Sequence, residues 1–269
     1  MSLPTWPDPS DIRPERFALP LDQGGNYGFR NLVCRCKSTY NSPTHVFSET
    51  VVRRQKRKKT MVFDDLFRQQ LQELFRWRRD VRRFKRDPVN SEVLDDLLRI
   101  VTFAPSVGLS EPWRFVFVDA PDRRKVVQSN FIEANAEALA GYYGERAHLY
   151  ASLKLEGLAQ APVHLAVFCD EQTDQGHGLG RQTMPEMLAY SVVAAIQLLW
   201  LFARAQGLGM GWISILNPLQ VKKALEIGET WRLIAYLCLG YPEDEHTEPE
   251  LAMAGWEKRK GVEHVVIRR

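Results

Sequence analysis

The residues from Arg76 to Pro88, RWRRDVRRFKRDP, carry seven basic side chains and, ahead of Asp87, a single carboxylate, Asp80. Arginine guanidinium groups match phosphate oxygens through paired hydrogen bonds, so several on one short non-helical segment could enclose a phosphorylated cofactor. Neighbouring arginines would hold an aspartate ionised, ready to accept a hydrogen bond or a proton. The segment is therefore a candidate site for proton transfer on a small anion.

Other interpretations of this basic segment stay open from composition alone. A solvated helix end is one, because arginines after a helix that ends near Trp77 would face its negative pole. A nucleic-acid-binding surface would need further basic stripes with interleaved aromatic residues, and the net charge of +3 is too small to predict one. Any basic function must therefore be local.

Other familiar motifs are missing or occur in the wrong context. The glycines of GLGMGW, Gly207, Gly209 and Gly211, follow a predicted helix and precede a strand, whereas a dinucleotide-binding loop runs from strand to helix. They predict a helix C-cap and a tight turn, with close approach of backbone to a ligand possible alongside. No GxSxG or HExxH occurs, and the acidic stretch 243–248 predicts a solvated loop.

The four cysteines do not predict a metal site. Cys34 and Cys36 have no second pair to complete a zinc set, and the six histidines are scattered. Cys169 and Cys238 lie in strand-like apolar runs and are expected to pack as small hydrophobic residues. We predict no bound metal and a reducing, cytoplasmic setting.

Helical and strand-like patterns alternate along the chain and would position the basic segment. Helices are predicted from Met61, from Asn90 or Ser91 after Pro88, and at about 121–140, 142–159, 184–206 and 218–226. Strands are predicted at PWRFVFV, PVHLAVFCD, GWISIL and RLIAYLCLGYP. The pattern predicts an α+β or α/β protein in which helices flank a small sheet.

Residues 1–60 differ from the rest of the chain. They are rich in Pro, Gly and charge without a sustained period, so we expect a disordered or non-native extension before a domain over 61–269. Residues 1–30 show no apolar run typical of a signal peptide. The apolar stretch 187–203 is short for a membrane span and contains Gln197, so it predicts a buried helix and no membrane association.

Three segments together resemble the nitroreductase-like flavoprotein superfamily: RRDVRRF (78–84), APSVGLSEPWRFVFV (104–118) and AAIQLLWLFARAQGLGMGWISI (194–215). The resemblance extends from about residue 61 to 260. Within the superfamily, the aspartate in RRDVR, the serine in GWISI and the ending GWEKR are similar to the BluB family of 5,6-dimethylbenzimidazole synthases. Ordinary nitroreductases carry Ser in place of Asp80.

This resemblance implies a nitroreductase-like α+β fold with a small mixed or antiparallel sheet, in a domain-swapped homodimer with two sites at its interface. It implies that reduced FMN and O2 are consumed and that the flavin is fragmented to 5,6-dimethylbenzimidazole, the lower ligand of vitamin B12. NAD(P)H would act only indirectly, through a separate flavin reductase. No nucleic acid is implied as a partner.

The resemblance also implies roles for particular residues. Asp80 is expected to transfer a proton, and Ser214 to assist through a hydrogen bond. A lid over 176–184 is expected to shield the reaction from water. The residues expected to bind flavin are Arg78, Arg79, Asp80, Val81, Arg82, Ser106, Gly108, Lys154, Gly211, Trp212, Ser214 and Arg259.

Two residues depart from the pattern of many nitroreductases, which have Asn and Gln where this chain has Leu109 and Glu111. Leu109 removes a polar flavin contact, which puts ordinary pyridine-nucleotide-driven nitroreduction in doubt. A conventional FMN oxidoreductase, either a nitroreductase or a cob(II)yrinic acid a,c-diamide reductase, stays open as an alternative. A basic binding module or flavin carrier without turnover is the other.

Overall fold

The computed structural model describes residues 61–152 and 157–269. Three predictions therefore lie outside the described residues: the extension over 1–60, the lack of a zinc set at Cys34 and Cys36, and the role of Lys154 in binding flavin. The division of the chain into residues 1–60 and 61–269 stays a prediction.

The described residues form eight α-helices and a four-stranded antiparallel sheet. The strands are β1 (Trp113–Phe117), β2 (Val163–Asp170), β3 (Gly209–Ile213) and β4 (Trp231–Gly240), in the spatial order β1-β2-β4-β3. The helices are α1 (Asp65–Trp77), α2 (Ser91–Val101), α3 (Pro121–Leu139), α4 (Gly144–Ser152), α5 (Gly157–Gln160), α6 (Met187–Ala205), α7 (Pro218–Ala224) and α8 (Glu250–Met253). The antiparallel form of the predicted sheet is the one observed.

Helices cover both faces of this sheet. Alternate residues of β2 point to opposite sides: Leu165 and Val167 join a core with α2 and α6, whereas Ala166 and Phe168 join a second core with α3, α5 and α7. Because both sides of β2 are buried, its sequence is an almost continuous apolar run. The two cores hold the sheet, and with it one wall of the candidate site, in place.

Several predicted element boundaries move by a few residues. The first helix starts at Asp65 because the Asp64 carboxylate accepts the N–H of Phe67, and Asn90 caps α2 in the same way. The region predicted as one helix over 142–159 contains α4 and α5 with an undescribed gap between them. The third strand begins at Gly209 and ends at Ile213, so Ser214 lies just beyond its end.

Helix α6 is the buried helix that its composition predicts. Within the described part of the chain it is the one helix long and apolar enough to cross a membrane by length and composition, and half of it is buried inside the protein. Its inward residues include Val192, Ile196 and Leu199. The helix ends at Ala205, and the predicted cap and turn follow at Gly207, whose φ of 77° lets the Leu208 N–H reach the carbonyl of Ala203.

Both described cysteines are buried and free, as expected of small hydrophobic residues. Burial raises the pKa of the Cys169 thiol to about 11 and raises the pKa of Cys238 further. Neither thiol is therefore suited to act as a nucleophile near neutral pH.

A buried pair, His164 and Tyr236, lies between β2 and β4 with 2.9 Å from His164 Nδ1 to the tyrosine oxygen. Burial, assisted by the Arg124 charge, lowers the pKa of His164 to about 4 from 6.5. Between these values the unfolded chain binds a proton that the folded chain does not, so acid favours unfolding. The buried imidazole therefore makes stability depend on pH.

We expect the free energy of unfolding to fall as pH drops from about 6.5 to about 4, with a contribution from His164 approaching ~1.4 kcal/mol per pH unit. Urea unfolding across this range measures it. His164→Gln removes the titrating group, so its curve should be flatter, whereas the same change at exposed His148 should not alter the slope. Parallel curves for wild type and His164→Gln would contradict this assignment.

Candidate active site

The basic segment between α1 and α2 runs along the edge of β3. The N–H of Val81 donates to the carbonyl of Met210 at 3.0 Å, and Asp80 pairs with Met210 as a parallel bridge. Further on, Phe84 is 1% exposed and pairs with Pro242 after β4. Backbone pairing and a buried aromatic anchor thus fix the segment in the extended form that its arginines need to face a cleft.

Glycine at position 211 allows this close approach. A Cβ built on Gly211 would lie 2.3 Å from the backbone oxygen of Val81, far inside any normal contact. A Cβ on Gly209 would lie 2.6 Å from the Val81 side chain. The glycines of GLGMGW therefore serve the approach of one backbone to another within the chain, besides the predicted turn at Gly207.

Asp80 is tied to β3 by its side chain as well. Its Oδ1 accepts the backbone N–H of Trp212 at 3.0 Å, and its Oδ2 lies 3.7 Å from Nε of Arg82. The carboxylate is 42% exposed in the protomer, which leaves it accessible from the cleft. Hydrogen bond and ion pair together set its orientation toward that cleft.

The pKa of Asp80 shifts in the direction opposite to the one expected from its arginine neighbours. Desolvation raises the pKa of Asp80 above its ordinary value, the Glu250 charge adds to the rise, and the Trp212 N–H, Arg82 and Arg78 only partly oppose it. The carboxylate therefore holds a proton more readily than the surrounding arginines suggest. A raised pKa brings a carboxyl group closer to the range in which it can act as a general acid or base.

Arg82 is almost fully buried, with a side chain 9% exposed. Its Nε lies 3.7 Å from both Asp80 Oδ2 and Glu250 Oε2, beyond hydrogen-bond range. Among the described residues, its buried Nε and Nη1 have no hydrogen-bond partner. Such orphaned, charged donors are costly unless a ligand satisfies them, so they indicate an anion-binding position.

Two further arginines are fixed beside it. The Arg78 guanidinium lies 4.9 Å above the ring of Trp200, and Arg79 donates to the carbonyls of Thr247 and Arg78, both at 2.7 Å. Burial lowers the pKa of both guanidinium groups, although they stay protonated at any ordinary pH. Together with Arg259 from the tail, these side chains line one cleft whose residues are Arg78, Arg79, Asp80, Arg82, Pro249, Glu250, Leu251 and Arg259.

The acidic stretch 243–248 is the mostly exposed loop that was predicted, and with Glu250 after it this region also contacts arginines. Asp244 lies 3.3 Å from Arg83, Glu245 lies 2.6 Å from Arg204, and Glu250 contacts Arg83 at 3.6 Å. Asp244 and Glu250 neutralise Arg83 of the basic segment, and Glu245 neutralises Arg204 of α6. The arrangement argues against a polyanion-binding surface and leaves a small, arginine-lined cleft that can bind an anion.

Ser106 and Gly108 lie elsewhere on the protomer, on a turn packed against loop 175–180. A Cβ on Gly108, where φ is 57°, would lie 2.7 Å from the Leu179 carbonyl. Between them, the N–H of Val107 donates to Ser191, near the start of α6. The Arg78 side of the cleft contacts the same helix at Trp200, nine residues further on. Nine residues span about 14 Å along a helix. Within one chain these residues are therefore separate from the Asp80 cleft.

The two departures, Leu109 and Glu111, lie on the same turn. Both have positive φ, 56° and 42°, and Gln175 donates to the Leu109 carbonyl at 2.9 Å and to the Glu111 carboxylate at 3.3 Å. Glu111 therefore has a structural contact that the sequence did not suggest. It joins the turn to the base of the segment predicted to form a lid.

The remaining predicted residues differ in how close they come to Asp80. Val81 follows Asp80 in the basic segment and pairs with β3. Gly211 lies against the Val81 backbone, and Trp212 donates its N–H to Asp80. Ser214 is exposed and two residues beyond Trp212, about 7 Å along an extended chain. Sequence reasoning missed Glu250, because nothing in the sequence places its charge opposite arginines that are so distant along the chain.

Comparison with known proteins shows the family of the chain. Residues 75–241 match the model of the nitroreductase family. The chain is 54% identical over 208 residues to a 5,6-dimethylbenzimidazole synthase of Rhodospirillum rubrum, covering 77% of this chain and 98% of the relative. It is 46% identical to one of Rhodobacter capsulatus, covering 74% and 96%.

Among solved structures, the fold is similar to oxidised iodotyrosine deiodinase bound to FMN and 3-iodo-L-tyrosine. The TM-score is 0.59 at 24% identity, covering 74% of this chain and 97% of that one. At this identity the likeness is one of fold. It confirms the predicted nitroreductase-like architecture.

Proposed function

The chain belongs to the nitroreductase family, and from this premise we propose that it acts as a 5,6-dimethylbenzimidazole synthase in cobalamin biosynthesis. The observation that carries the proposal is Asp80, where ordinary nitroreductases have Ser, bound to β3 beside an arginine-lined cleft. The relatives at 46% and 54% identity bear the same functional name. The substrates are reduced FMN and O2.

The residues of the cleft fit the phosphorylated end of FMN. The orphaned donors of Arg82 call for an acceptor with several oxygens, and Arg78, Arg79 and Arg259 supply further donors around it. These four arginines would hold the flavin through its phosphate and polar edge. When bound, reduced FMN supplies both the electrons for O2 and the carbon skeleton of the product.

The chain's own contribution to the chemistry is positioning and proton transfer. The pKa of Asp80 is raised by desolvation, and Oδ1 is fixed by the Trp212 N–H, which leaves Oδ2 to exchange a proton with a ligand in the cleft. Ser214, two residues after Trp212 and just beyond the end of β3, would add a hydroxyl that can form a hydrogen bond. Val81, Gly211 and Trp212 form the wall that fixes the carboxylate.

We further propose that two protomers complete each site in a homodimer. Ser106 and Gly108 are separated from the Asp80 cleft by much of α6 within one chain, so they would serve the flavin held by the partner. The loop from Gly176 to Met184, packed against Gly108, would cover that site and exclude water. A separate flavin reductase in the cytoplasm would supply the reduced FMN.

The proposal predicts that Arg82 recognises phosphate. Replacing it with Met keeps much of the buried volume and removes the donors, so the Kd for FMN should rise about 100-fold while that for riboflavin, which lacks phosphate, changes little. Flavin fluorescence titrations measure both. Arg86→Met, an exposed change in the same segment, should alter neither Kd.

Equal losses of FMN and riboflavin affinity in Arg82→Met would contradict phosphate recognition and point to general damage of the cleft. A substantial loss of FMN affinity in Arg86→Met would also contradict phosphate recognition by Arg82, because the affinity would then depend on the overall positive charge of the segment.

The function itself is tested by incubating the full chain with FMN, a separate flavin reductase, NADH and air, followed by chromatography. We expect a benzimidazole product that requires the reductase. Rapid NAD(P)H oxidation by the purified chain alone, with recovered FMN as its only flavin product, would favour a conventional FMN oxidoreductase.

A further inference from the structure

Glu250 is the first residue of α8, and its carboxylate reaches two consecutive arginines of the basic segment. Its Oε2 lies 3.7 Å from Arg82 Nε, and its Oε1 lies 3.6 Å from Arg83 Nη1. The side chain is 29% exposed and forms part of the cleft that Asp80 also lines. It is 170 residues from Asp80 in sequence, yet one arginine separates the two carboxylates in space.

The distances show that Arg82 is shared between these carboxylates. Its Nε lies 3.7 Å from Asp80 Oδ2 and 3.7 Å from Glu250 Oε2, so neither carboxylate forms a direct hydrogen bond with it. If Glu250 were neutral, Arg82 could pair fully with Asp80, and the repulsion between the two negative charges would end. Both changes would favour the ionised form of Asp80.

We propose that Glu250 is a positioning residue that divides Arg82 between two carboxylates and so keeps Asp80 able to hold the proton it transfers. The role of that proton in turnover rests on the proposed function; the Asp80–Arg82–Glu250 arrangement does not. Glu250 touches no reacting atom in this account and acts through Arg82.

Charged and titratable groups from several elements face Asp80. The basic segment contributes Arg78 and Arg82, and the tail contributes Arg259 at the same cleft. Strand β4 contributes the Cys238 thiol, which burial keeps neutral. Glu250 thus supplies the negative charge among these groups, in agreement with its contribution to the raised pKa of Asp80.

The test is the titration of Asp80 itself, in protein without flavin. Aspartate labelled with carbon-13 at the carboxyl carbon gives one NMR signal per residue, and Asp80→Asn identifies the signal of Asp80 by its loss. Glu250→Gln should move the midpoint of that signal to lower pH. Glu250→Asp retains the charge on a shorter side chain, so its midpoint should lie between those of wild type and Glu250→Gln.

Asp244→Asn is the matched control, because it removes one negative charge from the same acidic stretch at a residue that pairs with Arg83 and not Arg82. It should leave the Asp80 titration where it is. A Glu250→Gln titration that superimposes on wild type, or an Asp244→Asn shift of equal size, would overturn the proposal. An Asp80 midpoint in Glu250→Asp equal to that in Glu250→Gln would also overturn the proposal.

Activity provides a second readout. In the turnover assay, the limb of the pH profile that depends on Asp80 should move to lower pH in Glu250→Gln, with the Kd for FMN unchanged or lower because a negative charge has left the cleft. If wild type yields no benzimidazole, the proposed function fails, whereas the NMR titration still decides the role of Glu250.

Discussion

Asp80→Asn is expected to lower benzimidazole formation by at least ~100-fold while the Kd for FMN stays within about threefold of wild type. The amide oxygen of Asn can still accept the Trp212 N–H that Asp80 accepts at 3.0 Å, so the wall of the cleft should persist. The amide cannot exchange a proton at this position. Product chromatography measures the first quantity, and fluorescence titration with FMN measures the second.

The control for this change is Asp87→Asn, which alters an exposed aspartate at the end of the same basic segment. It should leave turnover and binding unchanged. Unchanged turnover in Asp80→Asn would remove Asp80 from the mechanism. A parallel loss of FMN binding would instead show that the carboxylate is needed to form the cleft.

Gly211→Ala is expected to reduce stability by about 3 kcal/mol and to abolish turnover. The added Cβ would lie 2.3 Å from the backbone oxygen of Val81, so the basic segment and β3 must separate. That separation would also break the hydrogen bond between Asp80 and Trp212. Urea unfolding measures the stability change, and the product assay measures the loss of turnover.

Gly228→Ala is the matched control, because no heavy atom outside the adjacent residues lies within 4 Å of a Cβ built there and its φ is not positive. This variant should be as stable and active as wild type. A Gly211→Ala variant within about 0.5 kcal/mol of wild type would contradict the close backbone contact on which the geometry of Asp80 depends.

Much of the fold could be predicted because its elements have strong local patterns. The strand β2 and the helix α6 are long apolar runs buried by tertiary packing, and the turn after α6 follows from Gly207. Boundaries were less predictable because they depend on local hydrogen bonds, such as the Asp64 cap, and on strand pairing, which ends β3 before Ser214.

The site was predictable in its basic segment but not in its electrostatics. The cluster around Asp80 is visible in one stretch of sequence, and its arginines suggest that they hold the carboxylate ionised. The fold partly desolvates Asp80 in the cleft and brings Glu250 into the same cleft, and together these raise the pKa of Asp80. Both depend on contacts between distant parts of the chain, which no local pattern specifies.

The most direct test of the central claim is a reaction of the full chain with FMN that has been photoreduced without NADH or a reductase and then exposed to air. Mass spectrometry should find 5,6-dimethylbenzimidazole in an amount equal to the FMN lost, and none with Asp80→Asn. Complete recovery of the flavin as oxidised FMN, with no benzimidazole formed, would contradict the account.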